Sequence, residues 1–95
     1  MFIIELTYKV PNDLIDQHLI AHRAFLDKHY ETGHFIASGA KTPREGGVIL
    51  ANANSKQEIG EILKEDPFYV NTLADYRVIE FTASKKAANI QDLIH

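Results

Sequence analysis

Cysteine is absent from the 95 residues. Its absence removes disulfide scaffolds, thiolate zinc sites, iron–sulfur clusters and a cysteine nucleophile, and it leaves packing as the source of stability. Punctuation is sparse, with five glycines and three prolines. These fall at expected turns, so the chain holds no linker, low-complexity stretch or internal repeat. A basic excess is also lacking: ten Lys+Arg against thirteen Asp+Glu give a net charge of −3. Nucleic acid and anionic membrane surfaces are therefore not expected partners. No apolar stretch approaches the roughly 18 to 20 residues that span a bilayer, and Met1 leads into a strand-like run rather than a secretion signal. The expected compartment is the cytoplasm.

What is present is a globular mixture, 45% hydrophobic and 24% charged, close to the averages of folded domains. At roughly 150 residues per domain, the length predicts one compact unit over residues 1–95.

Alternation of Phe2, Ile4, Leu6 and Tyr8 against Ile3, Glu5 and Thr7 predicts a first strand. Pro11, Asn12 and Asp13 stop that strand and start a helix, with Asn12 or Asp13 as its cap. The helix is expected to run to about Thr32, with Gly33 ending it in a left-handed conformation. Its apolar stripe is Ile15, Leu19 and Leu26, widened by Leu14 and Phe25. Strands are expected over residues 34–39 and 47–53, joined by the turn-rich stretch 41–46. Ser55 and Glu58 form a capping box opening a helix with Ile59, Ile62 and Leu63, which must stop before Pro67. A short helical turn over 68–71, a strand over 76–81 and a last helix from about 84 to 94, with Ala87, Ile90 and Ile94, complete the chain.

This order is the split βαβ pattern of a ferredoxin-like α+β fold. Helices cover one face of such a sheet. The strands carry apolar residues on both faces, among them Ile3, Phe35, Ile49, Ile79 and Phe81, so the second face is expected to meet another copy of the chain.

One polar residue interrupts the helical stripe. Steps of four and three residues place Ile15, Leu19, His22, Leu26 and His29 on one face. His22 thus points to the core side, where it is either a satisfied structural histidine or, with a carboxylate on one ring nitrogen, a positioned acid or base. His29, near the helix end, reads as exposed. Asp66, before Pro67, is by default a helix cap, although one of its oxygens can still face a histidine. His18 and His22 stand at i, i+4, but two imidazoles are an incomplete ligand set and no metal is expected. Arg44 and Lys41 in the loop could meet an anionic substrate or be merely solvated. Tyr8 could offer its hydroxyl to a pocket or close the core.

The segment Ala21-His22-Arg23-Ala24-Phe25-Leu26, the small residues Ala37-Ser38-Gly39-Ala40, Gly46-Gly47 and Asp66-Pro67-Phe68 resemble the YciI-like (YCII-related) family, in order and spacing, from Phe2 to about Phe81. The resemblance implies a core over about 1–82 and a dimeric α+β barrel, related in architecture to muconolactone isomerases and a dehydrochlorinase of chlorinated hydroxyquinols. It implies His22 and Asp66 as a paired site, with Ser38 and Gly39 on the pocket wall. The family often has Gly followed by Pro where this chain has Gly39-Ala40, and the segment after Phe81 lies outside its usual core. The resulting expectation is a homodimeric enzyme, a lyase or isomerase without cofactor, that moves protons on a small molecule. The alternative is a dimer that binds a small molecule without transforming it.

Overall fold

In a computed structural model, which describes residues 1–92, the order is β1 (Phe2–Tyr8), α1 (Asn12–Gln17), α2 (Leu19–Glu31), β2 (Phe35–Ala40), β3 (Gly46–Ala51), α3 (Lys56–Leu63), α4 (Pro67–Val70) and β4 (Ala74–Glu80), then a 3-10 helix over Ala88–Asp92. The four strands form one antiparallel sheet ordered β2-β3-β1-β4. This is the expected ferredoxin-like α+β arrangement, with β1 central.

The alternation of β1 becomes burial directly. Phe2, Ile4 and Leu6 are buried while Thr7 on the other face is exposed. Ile4 lies between Ile49 of β3 and Val78 of β4, so all three strands contribute to the same face. That face shares one core with Ile15, Phe25, Ile59, Ile62, Leu63 and Phe68 from the helices. Each such side chain contributes on the order of 1.5–3 kcal/mol by leaving water. Leu14 is 39% exposed and does not widen the helical stripe.

Two features depart from simple periodicity and both shape the site. The long helix expected over 12–32 is broken at His18, whose φ of −109° and ψ of 6° are not helical. Its amide donates three residues back, to Ile15 O at 3.0 Å, so α1 turns tightly before α2 begins. The second departure is a bulge in β2 between Phe35 and Ala37, where the register against β3 shifts. Phe35 pairs with Ala51 and Ser38 with Ile49. The extra residue therefore turns Ser38 to the same face as Phe35, where strict alternation would have opposed them.

The helix ends follow local chemistry with small corrections. The start of α1 has Pro11 in the cap position and no side-chain cap; Asn12 instead donates to the Arg44 carbonyl at 3.3 Å. Ser55 Oγ accepts from Glu58 N at 3.1 Å, but Glu58 reaches back to the amide of Asn54, not to that of Ser55. Gly33 has a φ of 85° after α2, as expected. Gly46 is fixed by space, since a Cβ there would stand 1.8 Å from Leu6 O. The terminal helix begins at Ala88 rather than at about 84 and is a 3-10 helix, and Ile94 lies outside the described residues. Among the described residues no helix is long and apolar enough to cross a membrane.

Candidate active site

Asp66-Pro67 opens α4 for a local reason. Pro67 occupies the first helical position, where its missing N–H costs nothing, and Asp66 Oδ1 accepts from Phe68 N at 3.0 Å. This capping fixes the carboxylate beside α2. His22 Nδ1 donates to the same oxygen at 2.8 Å. Tyr76, on β4, donates to the other oxygen, Oδ2, at 2.5 Å. Three donors from three elements thus converge on a carboxylate that is 0% exposed. The capping and histidine-orienting geometries coexist, because a carboxylate has lone pairs for both.

Burial pushes the Tyr76 phenol well above its ordinary value, and the Asp66 charge raises it further. Tyr76 therefore stays a proton donor across the physiological range. With Nδ1 committed to Asp66, the neutral His22 ring carries its free lone pair on Nε2. The ring lies flat on Phe68, with centroids 4.0 Å apart and planes 9° apart. Phe68 in turn meets Tyr8 edge-on at 6.0 Å.

His22 lines a cleft of about 410 Å³ between α1, α2 and the sheet. That volume lies in the range of small-molecule sites. The cleft has mostly apolar walls, including Leu6, Leu19, Leu26 and Phe68. Tyr8, Ser38, Gly39 and Arg44 line it as well, so the structure gathers the sequence-derived candidates around one space, with Asp66 buried behind His22. Two of these groups are engaged elsewhere. Ser38 Oγ hydrogen-bonds Tyr30 Oη at 2.7 Å, and Arg44 Nη2 donates to Asp16 at 2.5 Å. His18 occupies the break between α1 and α2.

His29 differs from its expected exposure. It is 3% exposed, and Nε2 donates to Glu65 at 3.1 Å. Glu65 also accepts from Lys28 at 2.6 Å. The adjacent carboxylates Glu65 and Asp66 thus receive two histidines spaced two turns apart on α2. Its remaining stripe position, seven residues after His22, was the available signal. No sequence pattern marks Tyr76, because only the pairing of β4 with β1 brings it to Asp66.

The family described as the YCII-related domain matches residues 1–82. Among curated proteins, none matches the chain. A similar solved structure is 5-chloro-2-hydroxyhydroquinone dehydrochlorinase (TftG) from Burkholderia phenoliruptrix AC1100, in complex with 2,5-dihydroxybenzoquinone. It has a TM-score of 0.71 and 17% identity, covering 86% of this chain and 94% of that one. The likeness is one of fold.

Proposed function

The chain belongs to the family of YCII-related domains, and on that footing we propose that it is a small enzyme using His22 as general acid or base, oriented by Asp66. The observation that carries this is the buried Asp66 carboxylate, held by Phe68 N and Tyr76, that accepts from His22 Nδ1 at 2.8 Å while the histidine lines a ligand-sized cleft. Such a fixed imidazole needs no further group to shuttle a proton. Nε2 takes a proton from a carbon or hydroxyl of the substrate and the Asp66 charge stabilises the imidazolium; in an isomerisation the proton is returned at another carbon, and in an elimination chloride departs with the bonding pair while the imidazolium gives its proton to water.

The same reading includes a homodimer through the sheet face not covered by helices. Val48 and Ile79 lie on that face and are 40% and 37% exposed, and Phe81 just beyond β4 is 38% exposed. Light scattering giving a monomeric mass would remove this part.

The first substrate to offer is 5-chloro-2-hydroxyhydroquinone, followed by solvent-deuterium exchange into a panel of small enolisable compounds. Wild-type protein is expected to release chloride or exchange a proton, and His22→Gln to slow that reaction by about 10²- to 10⁴-fold. Equal rates in wild type and His22→Gln would end the role assigned to His22. Saturable binding without turnover of any compound would favour the non-catalytic binding dimer.

A further inference from the structure

Three charged side chains line the cleft beside His22: Asp16, Arg23 and Arg44. Asp16 and Arg44 are bonded to each other at 2.5 Å and largely cancel. Arg23 is left over. Among the described residues its side chain takes part in no hydrogen bond or ion pair, although the chain as a whole carries a net charge of −3. The cleft therefore presents one uncompensated cation, adjacent in sequence to His22, inside an acidic protein. Ser38 adds little free polarity, because its hydroxyl is engaged by Tyr30.

The rest of the wall selects shape. Leu6, Leu19, Leu26 and Phe68 offer apolar surface, and Phe68 already lies flat against the His22 ring. An apolar body desolvates well there, while a guanidinium pairs with two oxygens of a planar anion in a fixed fork geometry. We propose that the cleft takes a compact planar organic anion, a carboxylate or ionised phenol on an unsaturated framework, and that Arg23 is the residue that recognises its charge. This rests on reading the cleft as the substrate site, and it names the substrate class of that site. Arg44 contributes less, since an anion must compete with Asp16 for it.

Binding tests the proposal apart from any chemistry. Benzoate and its neutral isostere benzamide are titrated into the protein, followed by NMR shifts of the Arg23 side-chain N–H and of amides along the cleft. Benzoate is expected to bind saturably and benzamide at least about tenfold more weakly. Arg23→Gln should lower benzoate affinity by about 10- to 100-fold, the weight of one charge-assisted contact, and leave benzamide unchanged. Arg23→Lys should restore part of the loss. Arg23 is exposed and unpaired, so the fold tolerates both changes; Lys56→Gln, on α3 and off the cleft wall, serves as a charge control without effect.

Equal affinity for benzoate and benzamide, an Arg23→Gln protein that binds benzoate as wild type does, or no saturable benzoate binding would each overturn the proposal. His22→Gln separates it from the catalytic reading. Charge discrimination retained in that variant supports Arg23 recognition whether or not proton transfer is ever found.

Discussion

The imidazole of His22 is stacked on the ring of Phe68, 4.0 Å between centroids and 9° from parallel. Phe68 also supplies the backbone N–H that donates to Asp66 Oδ1, the oxygen that accepts from His22. One residue thus holds both members of the pair, the carboxylate by its amide and the imidazole by its ring face. The stack restricts ring rotation about the bond that the Asp66 contact leaves free, so two independent contacts define the direction of Nε2. Such preorganisation is what a positioned acid or base requires.

Removing the stack should loosen the histidine without abolishing the fold. Phe68 is 1% exposed, so Phe68→Ala would cost about 3–5 kcal/mol and is too severe to interpret. Phe68→Leu keeps much of the volume and is expected to cost about 1–1.5 kcal/mol in urea unfolding. Its His22 ring resonances should broaden while the Asp66 cap persists. Sharp, unshifted ring signals would show that the stack does not order His22.

The Tyr76 hydroxyl is the only donor to Asp66 Oδ2 among the described residues. Tyr76→Phe keeps the ring and leaves a buried carboxylate oxygen unsatisfied, with an expected loss of about 1–3 kcal/mol. In a double-mutant cycle with Asp66→Asn, the two losses should be strongly non-additive, because both act on one network. Additive losses would mean that the short contact contributes nothing to holding Asp66.

How far these arrangements can be read before folding depends on the range of the interaction. The half-buried β1 shows its faces by alternation, and Asp66-Pro67 announces its helix start by local hydrogen bonding. His22 is legible as a polar residue in an apolar stripe, which a 3.6-residue period converts into direction. The break at His18 is not, since no proline or glycine lies between Pro11 and Gly33 to mark it. Ser38 reaches the helix-facing side only through the β2 bulge, and Tyr76 reaches Asp66 only because β4 pairs with β1. His29 shows the limit of reading by position: closeness to the end of α2 suggested solvent, yet Phe25 and Phe35 pack against its ring.

The Glu65 cluster gives a pH signature. The Lys28 ammonium donating to Glu65 holds its carboxyl below the ordinary 4.5, partial burial opposes this, and His29 adds a second favourable donor. A folded-state value below the unfolded one contributes stability that is present above the unfolded value and is lost as pH falls through the folded value. Since Lys28 and Glu65 are both more than a third exposed, solvent screening limits the contribution to about 0.2–1 kcal/mol. Glu65→Gln should therefore be less stable than wild type by that amount near neutral pH, and the gap should close on acidification below 4.5. A gap that widens in acid would reverse the sign of the argument.

Glycines separate space from conformation. At Gly46 a Cβ would stand 1.8 Å from Leu6 O and 2.8 Å from Leu6 C, both backbone atoms of the central strand. Neither can yield without parting β1 from β3, so Gly46→Ala is expected to cost about 1–3 kcal/mol or more. Gly60 lies exposed within α3 with nothing within 4 Å of its Cβ position. There Gly60→Ala gains helix propensity and should stabilise by about 0.5–1 kcal/mol. Gly39 also has open space, and it borders the cleft, so Gly39→Ala should leave stability within about 0.5 kcal/mol of wild type while narrowing room for a ligand. Thermal melts of the three variants rank them directly. A Gly46→Ala protein as stable as wild type would mean that β1 and β3 do not approach as closely as their register requires.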